Sequence, residues 1–142
     1  MSNYNRFHCT KETLHPKRAT KNSAGYDFFA PKDFMVPAHG VSENIDTEVS
    51  VELKPNYVLL CFVRSSFGFK YGVTLVNGTG IIDSDFYPNT IHCKLKNDSD
   101  KDLIIKKGDK FMQGIFMQYF TESDENTSHM VERNGGIGST GK

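Results

Sequence analysis

The sequence lacks an excess of charge of either sign. Its 142 residues include 17 Lys and Arg residues and 17 Asp and Glu residues, so its formal net charge at neutral pH is zero. Binding to DNA, RNA or acidic membranes without sequence preference depends on net or clustered positive charge. We therefore expect neither direct nucleic-acid binding nor membrane binding. The basic residues near the start predict only a short solvated arm: Arg6, Lys11, Lys17, Arg18 and Lys21.

The sequence also lacks paired metal-binding or disulfide motifs. Its cysteines, Cys9, Cys61 and Cys93, are odd in number and far apart, and no C-x-x-C pair occurs. The five histidines show neither H-x-x-H nor H-E-x-x-H spacing. Neither a structural zinc site nor a disulfide framework is expected.

Long apolar runs are absent as well. No stretch approaches the ~18 apolar residues of a membrane-spanning helix, and the first residues contain no apolar core typical of a secretory signal. We expect an intracellular, cytoplasmic protein, with a nuclear or host-cell location left open. The length predicts one domain, residues 1–142, with a real hydrophobic core.

What is present is a series of short strand patterns separated by turn residues. Val49–Leu53 and Ile91–Lys96 alternate apolar and polar residues, and Tyr57–Val63 is a continuous apolar run typical of a strand covered on both faces. Asn77-Gly78 between apolar runs predicts a hairpin with a type I′ turn, and residues 107–109 predict a second turn. Because 3.6-residue periodicity is absent, the sequence predicts an all-β fold.

Two stretches within this pattern carry residues suited to chemistry. Arg64, Ser65 and Ser66 follow a buried strand, and a cation with two hydroxyls suits either an oxyanion such as phosphate or a surface ion pair. After the Asn77 hairpin, Asp83 follows two apolar residues and is a candidate general base, because desolvation can tune the pKa of a carboxyl group.

Asp85 lies two residues beyond Asp83, next to Phe86. On a regular strand both carboxylates would face one side, so the pair could also bind a metal ion. Acidic residues in turns are common, and a structural role is equally open.

The C-terminal residues depart from the strand pattern. Thr121–Arg133 is polar and acidic, and the sequence GGIGSTGK follows it. Composition alone predicts a disordered tail. The last residues nearly match the phosphate-binding loop G-x-x-x-x-G-K-[ST], but no helix follows the lysine to direct its N–H groups at phosphate. N–H groups around the glycines could instead form an anion-binding nest.

Five stretches, in their order and spacing, resemble the five motifs of the trimeric dUTPases (deoxyuridine triphosphate nucleotidohydrolases). AGYDFFA resembles A-G-x-D-L-x-A, RSS resembles R-S-[GS], and NGTGIIDSDF resembles the uracil hairpin with G-x-I-D-x-D-Y. GDKFMQ resembles G-D-R-I-A-Q, and RNGGIGSTG resembles R-G-x-G-G-F-G-S-T-G. The resemblance extends from about residue 20 to the last residue.

The resemblance implies a distorted jelly-roll-like (β-clip) subunit in a homotrimer, in which residues 121–142 form a flexible arm exchanged between subunits. It implies Mg²⁺-dependent hydrolysis of dUTP to dUMP and pyrophosphate by attack of water on the α-phosphorus. This reaction keeps uracil out of DNA and supplies dUMP for thymidylate synthesis. For a viral or phage member, a regulatory protein partner is also left open.

The resemblance also implies roles for individual residues. Asp83 would deprotonate the attacking water, Phe86 would lie under the sugar, and Asp27 would contact Mg²⁺ through bound water. The uracil would be read by Asn77, Gly80, Ile81, Ile82 and Ile91. The phosphates and the catalytic water would be held by Arg64, Ser65, Ser66 and Gln113. The C-terminal arm would contribute Arg133, Ile137, Gly138, Ser139 and Thr140.

The sequence departs from the family pattern at several of these positions. Ile137 replaces the aromatic residue that stacks on uracil, which predicts weaker binding in the closed state. Phe86 replaces a tyrosine, and Lys110 replaces an arginine and loses bidentate geometry. Tyr87–Asn89 replaces a basic residue and glycine, and Arg133–Gly136 is one residue shorter than the usual form.

Two alternatives stay open. The dCTP deaminases of the same fold superfamily use a glutamate near the base, and residues 77–83 contain none. A binding protein built on a dUTPase scaffold could instead sequester a regulator, although the retained Asp83 favours catalysis. Pyrophosphate release from dUTP, compared with other nucleotides, distinguishes these functions.

Overall fold

The computed structural model describes residues 2–141, and within them the chain forms twelve short strands and one helix. The strands before the helix are β1 (Arg6–Cys9), β2 (Tyr26–Phe29), β3 (Phe34–Val36), β4 (Ile45–Asp46), β5 (Val49–Glu52) and β6 (Tyr57–Phe62). The helix α1 (Ser65–Tyr71) is followed by β7 (Val73–Leu75), β8 (Gly80–Ile82), β9 (His92–Cys93), β10 (Leu95–Asn97), β11 (Leu103–Ile105) and β12 (Lys110–Gln118). The short 3-10 turns are Glu12–Leu14 and Ser84–Phe86. The all-β prediction is confirmed.

The largest sheet has four antiparallel strands in the order β2-β12-β6-β8. The register of β12 on β2 places Gln113 opposite Asp27. On the other side of β6, Cys61 lies opposite Gly80 of β8. One sheet therefore positions the strands that carry Asp27 and Gln113 and the strand that leads to Asp83.

The other strands pair in twos: β1 with β5, β3 with β11, β4 with β9, and β7 with β10. The alternation predicted from Ile91 onward is confirmed, because Ile91, Cys93 and Leu95 are 1%, 3% and 0% exposed. Their side chains join a core that includes Phe28 and Phe111, both fully buried. Burying each large apolar side chain contributes about 1.5–3 kcal/mol to the free energy of unfolding.

The helix α1 was not predicted from the sequence. It begins after Arg64, whose backbone is extended, and ends at Gly72, whose φ of 66° is the left-handed conformation favoured by glycine. With seven residues, of which Phe67 is buried, it is too short to show helical periodicity. Within residues 2–141 no helix is long and apolar enough to cross a membrane.

The predicted type I′ turn at Asn77-Gly78 is wrong. Gly78 has a φ of 74°, but Asn77 does not have the positive φ that this turn also requires. The flanking strands do not pair with each other, since β7 pairs with β10 and β8 pairs with β6. The chain therefore crosses from one sheet to another at this turn. Below, the word hairpin means only the chain reversal formed by residues 75–83.

The two ends of the chain differ in structure. The predicted solvated N-terminal arm is wrong from Arg6 onward, because β1 pairs with β5 and the side chain of Phe7 is 5% exposed. After Gln118 the described residues contain neither strand nor helix. We call residues 121–141 the C-terminal arm; its flexibility stays a prediction, and Met1 and Lys142 lie outside the described residues.

Candidate active site

A cavity of about 270 Å³ lies over β8 and the turn that follows it, and we call it the hairpin cavity. The C-terminal arm contributes to its lining together with the residues around the turn. Many of the predicted site residues meet here: Asn77, Gly80, Ile81, Ile82, Asp83, Phe86, Ile91, Arg133, Ile137 and Gly138.

The strand β8 gives this cavity its polar wall. It lies at the edge of the four-stranded sheet, and within residues 2–141 no further strand pairs with its outer side. An edge strand presents N–H and C=O groups that can bind a planar ligand with a fixed donor and acceptor pattern. Gly80 allows the close pairing with β6, because a Cβ at this position would lie 3.0 Å from the Cβ of Cys61.

Asp83 lies directly after β8, where the chain enters the Ser84–Phe86 turn. The N–H of Phe86 donates to the C=O of Asp83 over 3.1 Å, and Phe86 is 9% exposed. The turn therefore places the Asp83 carboxylate beside an aromatic ring at the rim of the cavity. The side chain of Asp83 is 52% exposed, so a single chain does not supply the apolar enclosure that the sequence predicted.

The carboxylates of Asp83 and Asp85 both bind Arg133. Arg133 Nη2 donates to Asp83 Oδ2 and Arg133 Nε donates to Asp85 Oδ1, each over 2.8 Å. The two acidic residues flank a turn and do not lie on a regular strand, yet they face the same partner. The part of the chain that the structure describes contains no group of three His, Cys, Asp or Glu residues that could hold a metal ion.

A second cavity, of about 380 Å³, lies where β6 ends, and we call it the arginine cavity. Its lining includes four of the predicted site residues: Asp27, Arg64, Ser65 and Gln113. Ser66 lines an adjoining cavity together with Arg64 and Lys110. The structure therefore brings Asp27, Arg64, Ser65 and Gln113 to one cavity and Ser66 to the cavity beside it.

Asp27 orients the cations of this region. Its side chain is 9% exposed, and its two carboxylate oxygens lie 3.4 Å from Arg64 Nε and 3.4 Å from Lys110 Nζ. A buried carboxylate requires such partners, because an unpaired charge is costly away from water. Arg64 and Lys110 retain further N–H groups that could donate hydrogen bonds to phosphate oxygens.

The Gln113 side chain occupies the space beside Gly25. Its Nε2 donates to the C=O of Val63 over 3.1 Å. A Cβ on Gly25 would lie 2.2 Å from Gln113 Oε1, so the amide would have to move away. Glycine at position 25 is therefore required for the observed position of the Gln113 amide.

The two cavities share no lining residue, so Asp83 and Arg64 lie in different cavities of one chain. Ser139 and Thr140 line neither of them. The hydroxyl oxygen of Ser139 is buried and has no hydrogen-bond partner, whereas Thr140 is exposed. The predicted site residues thus line two cavities of one chain, and Ser139 and Thr140 line neither.

Sequence reasoning missed several residues of the hairpin cavity, of which His92 is the most polar. His92 Nδ1 lies 3.0 Å from Asn44 Nδ2 and accepts its hydrogen, so Nε2 carries the ring proton in neutral histidine. The apolar–polar alternation that begins at Ile91 predicted only that the side chain of His92 faces away from the core. Its partner Asn44 is too distant in sequence for any short motif to show the contact.

Cys61 also lines the hairpin cavity but is not a nucleophile. Its side chain is 2% exposed, and burial raises the pKa of the thiol to about 12. The thiolate is the nucleophilic form, and a buried thiol that stays protonated is inert as a nucleophile. Cys61 therefore serves packing in the core, where it belongs to the buried cluster.

The sequence model of the dUTPase family matches residues 11–141. The chain belongs to the dUTPase family. A curated relative named deoxyuridine 5′-triphosphate nucleotidohydrolase, from Lactococcus lactis subsp. lactis, is 35% identical over 131 residues, which are 89% of this chain and 87% of the relative. The crystal structure of dUTPase from Streptococcus mutans is 32% identical, with a TM-score of 0.75 over 82% of this chain and 98% of that one.

A more distant dUTPase, from phage phi11 of Staphylococcus aureus, supports the fold alone. A mutant form of that protein is 21% identical, with a TM-score of 0.73 over 89% of this chain and 98% of that one. It coordinates a structural Mg(II) ion. Together with the dUTPase of S. mutans, this match confirms the jelly-roll-like fold class predicted for the chain.

The dUTPase motifs divide between the two cavities. The third motif, with Asp83, forms the hairpin cavity, and part of the fifth motif covers it. The first, second and fourth motifs meet at the arginine cavity through Asp27, Arg64 and Gln113. The dUTPase motifs thus divide between one cavity that carries Asp83 and one cationic cavity.

Proposed function

We propose that the chain is a dUTP diphosphatase, which hydrolyses dUTP to dUMP and pyrophosphate by attack of water on the α-phosphorus. In the cell this activity keeps uracil out of DNA and supplies dUMP for thymidylate synthesis. The observation that supports it most strongly is the position of Asp83, at the rim of a pocket whose wall is an unpaired strand edge.

In this proposal Asp83 is the general base and takes the proton of the attacking water. Its Oδ2 accepts from Arg133 in the substrate-free chain, so the guanidinium must leave before a water can occupy that position. Binding of the triphosphate provides a competing anion for the guanidinium. The Asp83 carboxylate is half-exposed in one chain. Bound substrate and a neighbouring copy of the chain would together enclose it.

The hairpin cavity selects the nucleoside. The backbone of β8 and the Asn77 amide would form hydrogen bonds with the uracil edge and would reject the amino group of cytosine. The narrow turn would exclude the thymine methyl group. The nearly buried ring of Phe86 would lie under the deoxyribose, where a 2′-hydroxyl has no room.

The arginine cavity holds the phosphates. Arg64 supplies a guanidinium already oriented by Asp27, and Ser65 and Ser66 supply hydroxyl groups at the start of α1. Gln113 is fixed at a defined position by its bond to the backbone of Val63 and would orient the catalytic water. A polar group that is positioned in advance loses little entropy when substrate binds.

Mg²⁺ would bind mainly through the substrate phosphates, because it keeps several of its waters. In the chain both oxygens of Asp27 pair with Arg64 and Lys110, which leaves no direct position for the ion on that carboxylate. When bound, the ion would neutralise phosphate charge, and Asp27 would contact it through water.

We propose that the complete site forms between copies of the chain in a homotrimer. Its support is the separation of the hairpin cavity from the arginine cavity within one chain. A second copy would bring its arginine cavity to the hairpin of the first. Large apolar side chains exposed in one chain would be covered by this assembly: Met35, Phe69, Ile81, Ile104 and Phe120.

The C-terminal arm would close over the triphosphate. Arg133, the unpartnered hydroxyl of Ser139 and the exposed Thr140 would bind the β- and γ-phosphates. In the structure the arm lies on the hairpin of its own chain through Arg133. Exchange of the arm between copies therefore stays a prediction, as do a cytoplasmic location and any regulatory protein partner.

The test is pyrophosphate release from dUTP, dCTP, dTTP and UTP under the same conditions, with Mg²⁺ and with EDTA. We expect turnover of dUTP alone, and its loss in EDTA. Turnover of dCTP with release of ammonia would indicate a deaminase. No turnover of any nucleotide would favour a binding protein on a dUTPase scaffold.

A further inference from the structure

Arg133 is the arm residue most tightly held on the hairpin. Its side chain is 13% exposed, although Asp83 and Asp85, which bind it, are 52% and 58% exposed. The guanidinium carbon lies 5.8 Å from the centre of the Phe86 ring, which adds a cation–π contact. Other contacts of the arm are weaker, since the bond from Asn89 to the C=O of Gly135 is 3.5 Å long.

The two carboxylates that bind Arg133 face different surroundings. Asp83 lines the hairpin cavity, together with Arg133 itself. Asp85 does not line that cavity and instead lines a separate one with Glu52 and Tyr87. Only Asp83 is therefore placed to act on a water at the substrate, whereas Asp85 can stay bound to Arg133 while substrate is present.

The guanidinium group allows one residue to bind two partners at once. Nε and Nη2 of Arg133 point to different carboxylates, and Nη1 carries two further N–H groups. Nη2 can therefore exchange Asp83 for a phosphate oxygen while Nε stays on Asp85. A lysine has three donors on one nitrogen but lacks the planar, widely spaced N–H groups that hold two partners at fixed positions.

We propose that Asp85 is a positioning residue of the reaction: its carboxylate holds Arg133 at Nε while the rest of the guanidinium moves from Asp83 to the substrate phosphates. The proposal rests on the function proposed above. In this arrangement the ion pair with Asp85 anchors the arm next to Phe86, and Asp83 becomes free to act as the base when substrate binds. The contact involves one arm and one hairpin, and it can form whether the same copy or two copies supply them.

The test compares Asp85→Ala with Asp85→Glu, using Glu125→Ala as the control. Glu125 is an exposed acidic residue of the arm for which the described structure shows no ion pair. The first measurement is hydrogen–deuterium exchange of peptides from residues 133–140 in the substrate-free protein. We expect several-fold faster exchange in Asp85→Ala, partial recovery in Asp85→Glu, and wild-type exchange in the control.

The second measurement is steady-state hydrolysis of dUTP. Loss of a hydrogen bond between charged groups should raise KM roughly tenfold, while kcat changes little because Asp83 is intact. Asp85→Glu should recover part of the lost affinity. This split between KM and kcat is not expected of a residue that merely stabilises the fold.

Several outcomes would overturn the proposal. Wild-type exchange of the arm in Asp85→Ala would show that Asp85 does not hold it. A lower KM would show that Asp85 competes with substrate for Arg133, and a loss of kcat at unchanged KM would place Asp85 in the chemistry. Faster arm exchange in Asp85→Ala with no dUTP turnover by the wild-type chain would overturn the proposed function and support the anchoring role.

Discussion

Gly25 and Gln113 face each other across β2 and β12 so closely that a Cβ on Gly25 would lie 2.2 Å from Gln113 Oε1. The Gln113 amide is held there by its bond to the C=O of Val63. A residue proposed to orient the catalytic water thus depends on a glycine in a different motif. This contact joins the first motif to the fourth in the folded chain.

Gly25→Ala should therefore displace the Gln113 amide. We expect kcat/KM for dUTP to fall by about tenfold or more, with little change in the free energy of unfolding, because the displaced atom is the end of a flexible side chain. The measurements are dUTP hydrolysis and thermal unfolding. Gly68→Ala in α1 is the matched control, because no atom lies within 4 Å of its added Cβ; wild-type kcat/KM in Gly25→Ala would contradict the account.

Ile137→Phe should strengthen substrate binding. Ile137 lines the hairpin cavity, is 81% exposed and cannot stack on a base as an aromatic ring does. Base stacking contributes about 1–3 kcal/mol, so we expect the Kd of a non-hydrolysable dUTP analogue to fall by about fivefold or more. Val131→Phe adds the same ring to an exposed arm position outside the cavity, and an equal gain in both variants would mean that stacking is not the cause.

The buried thiols should resist alkylation. Burial raises the pKa of Cys61 to about 12 and raises the pKa of Cys93 further, whereas Cys9 is only partly buried. Both buried thiols are therefore protonated at neutral pH. Their contribution to stability is complete below the ordinary thiol pKa of 9.0 and is lost as the pH rises towards the raised values.

Iodoacetamide labelling followed by peptide mass spectrometry checks this prediction. Cys9 should react first in the native protein, and all three thiols should react at similar rates in guanidinium chloride. Native labelling of Cys61 as fast as that of Cys9 would contradict the burial of the Cys61 side chain in the core.

The sequence predicted some elements of the fold better than others. The difference lies in how far apart in the sequence the contacting residues are. The burial of Ile91, Cys93 and Leu95 follows from local alternation and is correct. The type I′ turn at Asn77 is wrong, because distant strands determine the pairing of β7 and β8. The helix α1 was missed because seven residues are too few to show the 3.6-residue recurrence of apolar residues that marks a helix.

The candidate site shows the same division. The motifs singled out Arg64 and Gln113, which the structure places in one cavity, but they did not predict that the site residues line two cavities. They did not predict the place of His92, which is oriented by a residue far away in the sequence. Nor did they predict that Asp85 binds Arg133, because an ion pair between a turn and a distant arm has no local signature.

Hydrolysis of dUTP by Asp83→Asn tests the central claim most directly. Asparagine keeps the shape of the side chain but cannot accept the proton of the attacking water, and general-base catalysis contributes about 10²–10⁴-fold to rate. The account predicts that kcat falls by at least about a hundredfold, while the variant still binds a non-hydrolysable dUTP analogue and has the same oligomeric state as the wild type. Hydrolysis of dUTP by Asp83→Asn near the wild-type rate would contradict it.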